Sequence, residues 1–312
     1  MGAFLLLTAS TLLVFGIQEA GATTFSWSSP TIIASLVISA ACWLAFFGWS
    51  SWLPISVREY QIHAIFPFHI ALSRPMGPAI VAIFCTGFPF YVSIINLPQR
   101  FQLANADTPI MAGVHLLPLL CSMALGSGLG GALSKKKNIT SHTLIVAACL
   151  ILLGCGLMST LEETRTLDSA VYGYQFILGL GVGLTLSAGT LMTSTSTAPR
   201  DAAAAQGAIS QARILGGSVG LATFTIVLND KLRRKLVSVL DATELSNLQR
   251  SLSTVEDLQL EQQGAVGKVY SEAFNQQMRI CTYVSVLCLL ASVATFSRHP
   301  ASIEDAKARQ QE

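Results

Sequence analysis

The apolar residues of this sequence are gathered into long blocks instead of being spread as stripes along amphipathic helices. Each block is apolar on all sides and long enough to form a helix across a hydrocarbon layer about 30 Å thick. The strands of a membrane barrel would alternate between apolar and polar positions instead. The pattern therefore predicts an all-α, polytopic membrane helix bundle. Its predicted spans, about eight in number, are residues 3–18, 30–52, 78–97, 110–133, 142–161, 172–194, 207–228 and 280–297.

The first block is the shortest, and it permits a second interpretation. The small residues 20–22 follow it, so it resembles a cleaved signal peptide. A signal peptide begins with a basic region, however, and no Lys or Arg precedes Phe4. We therefore expect this block to stay in the protein as a membrane span.

The Lys and Arg residues between the blocks predict the orientation of the chain. With a cytoplasmic amino terminus, nine of them lie in short inside segments, whereas the short outside loops hold only Arg100 and Arg165. Because cytoplasmic loops are enriched in Lys and Arg, we expect both termini to be cytoplasmic, with an inside loop at residues 53–77 and an inside tail at residues 298–312. Asn138 begins a glycosylation acceptor sequence in a predicted inside loop, so its modification would overturn this orientation.

One long polar stretch, residues 229–277, interrupts the pattern of blocks and is expected outside the membrane. Two interpretations stay open for it: a helical hairpin packed on the bundle, or an amphipathic lid at the membrane surface. The basic cluster at residues 231–235 counts slightly against the orientation above, since it lies on the outer side. The apolar positions that recur at helical spacing in this stretch are Leu232, Leu236, Val239, Leu240, Leu245, Leu248, Leu252 and Val255.

The composition agrees with a membrane protein and excludes several function classes. Hydrophobic residues make up 52% of the chain and charged residues 12%, whereas a soluble domain carries about 25% charged residues. The net charge of +2 does not indicate a nucleic-acid partner. All seven cysteines lie within apolar blocks at spacings unlike those of metal ligands, so we expect small buried hydrophobic side chains and no disulfides. We expect no metal, no cofactor and no catalytic residues.

Glycine-rich stretches within the blocks suggest close helix packing. Residues 126–131 match the letters of a dinucleotide-binding fingerprint, but no strand precedes them and no ribose-binding acid follows at the required distance. We therefore reject nucleotide binding. Small residues let two helices approach closely in lipid, and this explanation extends to a second and a third set of glycines. These are Gly179, Gly181 and Gly183, and Gly216, Gly217 and Gly220.

Polar side chains at membrane depth are costly, so each one raises a functional hypothesis. Arg213 is the clearest case and should face protein or water, although it could also cap backbone carbonyls or extend its guanidinium to the membrane surface. His115 is a second case, but a lone histidine near a helix end is more often simply hydrogen-bonded. The candidate residues of a substrate or proton pathway are Arg213, Gln211, Gln206, Gln175, Tyr174 and His115.

Several stretches, in this order, resemble the major facilitator superfamily, and within it the branch of drug:proton antiporters with fourteen spans. This branch is common among fungal toxin and multidrug exporters. The resemblance covers nearly the whole chain. The residues that carry it are WSSP at 27–30, LPQRFQ at 97–102, AGVHLLPL at 112–119, GALSKK at 131–136, DAAAAQG at 201–207 and RILGGSVG at 213–220.

The resemblance implies an organisation and a function. The spans would correspond to the seventh through fourteenth of the family, so residues 1–52 would form two linker helices and residues 78–297 a carboxyl-terminal half of six helices. The family would export hydrophobic drugs, toxins or secondary metabolites across the plasma membrane by proton-coupled alternating access. Two halves rock around a central site in that mechanism. One half offers a single wall of the site, so the chain would need a second copy of itself or a separate amino-terminal half.

Other classes of function remain as alternatives. The chain could be a truncated or inactive transporter fragment that does not work alone. The long polar stretch and a span count near seven would also suit a membrane receptor or scaffold, which would bind ligands without moving them. An intramembrane enzyme would need clustered acids or histidines at membrane depth, and the blocks contain no such cluster.

Overall fold

The computed structural model describes residues 2–21, 27–56, 73–134, 138–162, 168–237, 239–250, 254–255 and 258–296. Throughout these residues the regular structure is helical. The helices are α1 (Gly2–Gly21), α2 (Pro30–Ser56), α3 (Met76–Asn105), α4 (Pro109–His115), α5 (Leu117–Leu133), α6 (Thr140–Met158), α7 (Ala170–Ser196), α8 (Ala202–Lys235), α9 (Ala242–Arg250) and α10 (Leu260–Ala294). The predicted tail and most of the predicted loop at residues 53–77 lie outside the described residues.

Seven of the described helical segments are long and apolar enough to cross a membrane. They comprise α2, α3, the pair of α4 and α5 taken together, α6, α7, α8 and α10. The apolar part of α1, Phe4–Ala20, is shorter than the others, as the sequence indicated. The prediction of an all-α, multi-pass helix bundle is confirmed.

The predicted fourth span is broken into two helices at Leu116. The hydroxyl of Thr108 accepts a hydrogen bond from the backbone N–H of Met111 and so caps the start of α4. Pro118 stands in the first turn of α5, where a missing backbone N–H costs least. The same residue cannot continue α4, because its ring would clash with a carbonyl of the preceding turn. One membrane-length segment therefore consists of two consecutive helices.

Helix α3 continues past the predicted end of its span at residue 97. Pro89 and Pro98 lie inside the helix without ending it. The extra turns include Arg100, which the sequence placed in an outside loop but which is only 6% exposed in the structure. Its Nη2 donates to the carbonyl of Glu162 at 2.7 Å, and its guanidinium lies 5.5 Å from the ring centre of Phe274. Arg100 is thus a buried link between helices, and its count as a loop residue was wrong.

The helices pack as one bundle with α1 and α2 attached at its side. Helix α3 packs on α8 and α10, α7 packs on α5 and α6, and α10 also packs on α6. Helix α1 joins this bundle by packing on α8, and α2 packs on α1. Ser39 of α2 donates a hydrogen bond to the carbonyl of Ala9 in α1 at 2.7 Å, which holds the two outer helices together.

Glycines set the closest helix contacts, as predicted from the sequence. A Cβ atom built on Gly126 of α5 would lie 2.4 Å from the carbonyl oxygen of Leu180 in α7. A Cβ on Gly183 of α7 would lie 2.1 Å from the carbonyl oxygen of Met123. Contacts this short leave no room for any side chain. In lipid, where association depends on van der Waals packing, such contacts hold helices together.

The long polar stretch forms the ends of α8 and α10 with α9 between them. These two helices contain 34 and 35 residues and so extend about 50 Å, which exceeds the thickness of the hydrocarbon layer. Both helices therefore continue past the predicted spans at 207–228 and 280–297. Leu232, Leu236 and Leu248 belong to the same buried core as the bundle. The stretch is a helical extension packed on itself, which agrees with the hairpin interpretation.

Replacing Gly126 with alanine should destabilise the bundle by about 1 to 3 kcal/mol, because the added methyl group would force α5 away from α7. Gly128, two residues farther along the same helix, is the matched control, since a Cβ there would meet no heavy atom within 4 Å. Thermal unfolding of the purified chain in detergent would compare Gly126→Ala with Gly128→Ala. Equal melting temperatures for the two variants would show that α5 does not pack on α7 through Gly126.

The extension beyond the membrane should depend on one carboxylate, Glu272. Its side chain is 12% exposed, lies 3.6 Å from the ammonium group of Lys231 and is hydrogen-bonded by Lys235. Glu272→Gln should lower the free energy of unfolding by about 1 kcal/mol, since it leaves two lysines without their partner. Asp230→Asn is the control, because Asp230 pairs with Arg234 on an exposed surface and should contribute little.

The measurement is amide hydrogen exchange in α9 and in the first turns of α10. Faster exchange in Glu272→Gln than in Asp230→Asn is the expected result. Identical exchange in both variants would contradict a role for Glu272 in holding α8 to α10.

Candidate functional site

Helix α8 carries three of the six candidate residues, on two different faces. Gln206 and Arg213 are seven residues apart, which is close to two full turns, so both lie on one face. Gln211 lies on another face of the same helix. We call the face of Gln206 and Arg213 the polar face of α8.

Arg213 lies at the contact between α8 and α3. Its carbonyl oxygen would lie 2.1 Å from a Cβ on Gly87, so only a glycine fits opposite it. Its side chain is half-buried. Tyr91 of α3 packs on α8 at Gly217, about one turn farther along the polar face. Within the described part of the chain, no carboxylate lies at ion-pair distance from the guanidinium.

Gln206 connects the polar face of α8 to α7. Its Oε1 accepts a hydrogen bond from the hydroxyl of Thr193 at 3.0 Å, and its Nε2 lies 3.5 Å from the hydroxyl of Thr190. Thr190 and Thr193 are three residues apart and therefore neighbours on the surface of α7. The sequence reasoning missed both threonines, although their spacing signals a shared face. Polar groups from two helices thus meet along one side of α8.

Gln211 contacts the outer pair of helices and not the polar face. Its Nε2 donates to the hydroxyl of Ser10 in α1 at 2.6 Å. Ser10 is 8% exposed and was not among the candidates. This hydrogen bond fixes α1 on the bundle.

The remaining candidates lie at the opposite end of the bundle, where α4 and α7 begin. His115 Nδ1 is 2.5 Å from the hydroxyl of Tyr172, and its Nε2 is 3.6 Å from a carboxylate oxygen of Asp107. Gln175 is fully buried and donates to the carbonyl of His115 at 3.0 Å. Tyr174 packs on the hydrophobic core. Asp107 was not predicted as a member of this group, because it lies in the loop before α4.

The six candidates therefore form three separate groups and not one site. The polar face of α8 holds Arg213 and Gln206, the contact with α1 holds Gln211, and the far end holds the histidine group. Periodicity placed the residues on their helices correctly but could not tell which helix faces them. Their role in a substrate or proton pathway stays a prediction.

A cavity of about 590 Å³ lies between the outer pair of helices and the bundle. It is bounded by α1, α2, α3 and α8. Its volume falls within the range of about 300 to 1,000 Å³ that is typical of small-molecule sites. Its lining is apolar apart from Gln211, and it includes Trp43, Phe46 and Phe47 of α2. We call it the lateral cavity.

Comparisons with known proteins place the chain near transporters of the major facilitator superfamily (MFS). No family model matches the sequence. The MFS-type transporter FPY5 of Fusarium mangiferae is 33% identical over 295 residues, which cover 94% of this chain and 49% of that protein. The rubrofusarin-specific efflux pump aurT of Gibberella zeae is 28% identical over 221 residues, which cover 70% of this chain and 39% of that protein.

A solved structure shares the fold. It is a bacterial homologue of the human lysosomal transporter Spinster, in an inward-facing and unoccupied conformation. The match has a TM-score of 0.52 and 14% sequence identity, and covers 86% of this chain and 60% of that one. The chain spans about half the length of the curated relatives it matches. The chain thus has the fold of a membrane transporter and is similar, over 94% of its residues, to part of a fungal MFS-type transporter.

Proposed function

We propose that this chain works as part of an MFS efflux transporter that exports hydrophobic small molecules by proton-coupled alternating access. Its similarity to an MFS-type transporter and to an efflux pump supports this proposal. The structural observation that carries it is Arg213, a half-buried cation within a membrane-length helix. A charge at such a position is costly and is retained where it serves a pathway.

The surroundings of Arg213 favour contact with a transported molecule. The ion pairs among the described residues do not include Arg213, so its charge is not cancelled by a carboxylate there. A cation in a medium of low dielectric attracts a polar or anionic group strongly. The hydroxyls of Thr190 and Thr193 and the amide of Gln206 extend the same face with hydrogen-bonding groups. This face is the wall that we assign to the substrate.

Proton coupling would require a group that gains and loses a proton during the cycle. We assign this part to His115, which contacts both the carboxylate of Asp107 and the hydroxyl of Tyr172. It joins the loop before α4 to α7, so a change in its charge would alter a contact between two helices. Gln175 holds the backbone of the same residue in place.

The organisation we propose is two linker helices, α1 and α2, followed by a carboxyl-terminal half of six spans. Both termini would be cytoplasmic, and the membrane would be the plasma membrane. The relatives that the chain matches are about twice as long, and one half provides a single wall of a site. A second copy of this chain, or a separate amino-terminal half, would supply the other wall.

Replacing Arg213 with glutamine should reduce export about ten- to a hundred-fold, the size of effect expected from losing a charge-assisted hydrogen bond. Arg213→Lys keeps the charge without the forked donor geometry and should retain part of the activity. Arg234→Gln is the matched control, because Arg234 is 77% exposed and lies in the helical extension. The measurement is efflux of the uncharged dye Nile red from preloaded cells that lack their own drug pumps.

Each arm of this experiment tests one part of the proposal. Efflux that persists after a protonophore dissipates the proton gradient would contradict proton coupling. Equal efflux in Arg213→Gln and Arg234→Gln would contradict the role of Arg213. If the chain alone moves no dye but a co-expressed amino-terminal half restores transport, the chain requires that half, whereas transport by the chain alone would favour a second copy as the partner. If no combination moves dye, the transport proposal fails for this chain.

A further inference from the structure

The lateral cavity is separate from the polar face of α8. Gln211, Gly207 and Leu215 line the cavity, whereas Gln206 and Arg213 point along the other face. The cavity borders the outer pair of helices, which touches the bundle mainly where α1 packs on α8. It is therefore a second concave surface on the same helix, and nothing in the proposed transport pathway uses it.

The two walls of the cavity differ in the size of their side chains. On α8, most lining residues are alanine or glycine, so this wall has few large side chains. The facing wall on α2 is aromatic, with the rings of Trp43 and Phe47 5.3 Å apart and those of Trp43 and Phe46 6.1 Å apart. Phe84 of α3 adds a further aromatic side chain. A slot between aromatic rings and a helix with few large side chains suits a rigid planar molecule, because aromatic pairs stack or meet edge to face.

The cavity is lined by side chains of membrane-length helices. Val81 of α3 and Phe47 of α2 line it and are 45% and 37% exposed on the outer surface of two membrane-length helices. Helices of this length and composition are surrounded mainly by hydrocarbon when they cross a bilayer. An occupant would therefore enter from the bilayer, which excludes strongly charged molecules.

One polar group gives the cavity a means of selection. The Nε2 of Gln211 is used by Ser10, so its Oε1 is the atom that can accept a hydrogen bond from an occupant. An acceptor within an apolar site favours a ligand that carries a matching hydroxyl or N–H group, because otherwise the ligand donor or the amide oxygen stays unpaired. The cavity is also large enough for several fused rings, at about 590 Å³.

We propose that the lateral cavity binds an uncharged, planar aromatic molecule that carries a hydroxyl group and enters from the bilayer. The rings lie between the aromatic wall of α2 and the small residues of α8, and the hydroxyl donates to Gln211. This inference goes beyond the proposed function, since binding here is measured without any transport.

The test is quenching of tryptophan fluorescence by 1-hydroxypyrene in the full chain reconstituted into phosphatidylcholine nanodiscs. Trp43 lines the cavity, so binding should produce a saturable quenching component that Trp43→Phe abolishes. Pyrene, which has the same rings without the hydroxyl, should bind about three- to ten-fold more weakly. Gln211→Leu should remove this preference for 1-hydroxypyrene over pyrene.

A pair of glycine variants separates binding in the cavity from partition into the lipid. Gly207 lines the cavity and a Cβ there would meet no heavy atom within 4 Å, so Gly207→Leu fills the cavity without disturbing a packed contact. Gly156→Leu is the matched control, because Gly156 has equally open surroundings on α6. We expect at least a ten-fold loss of 1-hydroxypyrene affinity in Gly207→Leu and none in Gly156→Leu.

Two results would overturn the proposal. One is quenching that is linear in 1-hydroxypyrene and equal in all variants, which would mean partition into lipid alone. The other is strong quenching of Trp43 by lipids with brominated acyl chains that 1-hydroxypyrene cannot relieve, which would mean that an acyl chain occupies the cavity. Loss of Nile red efflux in Arg213→Gln would leave either result unaffected, so the two proposals fail independently.

Discussion

The backbones of α3 and α8 meet at glycines, and the position of every candidate residue on α8 depends on that contact. A Cβ on Gly216 would lie 1.9 Å from the carbonyl oxygen of Phe84, and one on Gly87 would lie 2.1 Å from the carbonyl oxygen of Arg213. In lipid the helices gain little from the hydrophobic effect, so close van der Waals contact must hold them. The carbonyl that rests on Gly87 belongs to the residue whose guanidinium we assign to the substrate. Close helix packing and the proposed substrate contact therefore involve the same residue.

Small residues on α8 have two opposite consequences, depending on what faces them. Backbone and ring atoms of α3 occupy the space beside Gly216 and Gly217, which brings the two helices together. Gly207 and its alanine neighbours face the outer pair of helices, where no atom fills the space and a cavity results. The difference arises because α1 reaches α8 through Gln211 and Ser10, while α2 stays on the far side of the cavity. A run of small residues by itself indicates neither outcome.

The sequence was sufficient for the fold class and for the use of glycine, but not for the grouping of polar residues. A uniformly apolar block indicates that lipid surrounds the helix. This is a local property, so it can be recognised from consecutive residues in the sequence. The partner of a polar side chain is a tertiary property. His115 and Tyr172 are 57 positions apart and still share a hydrogen bond, and Arg100 is buried because the carbonyl of Glu162 accepts from it. The sequence contains no periodic signal for such pairs.

The same limit explains why two helices continue past the predicted spans. A span predicted from hydropathy ends where charged residues begin. The predicted span in α8 therefore ended at residue 228, and the one in α10 began at residue 280. The helices continue because Leu232 and Tyr270, beyond those limits, are buried in the same core. Lys231, Lys235 and Glu272 accompany them as ion pairs that cost little outside the hydrocarbon. The extension thus couples α8 to α10 beyond the membrane, while glycines couple α8 to α3 within it. Helix α8 is thus held against α10 by ion pairs and against α3 by glycine contacts, which fixes both its polar face and its wall of the lateral cavity relative to α3.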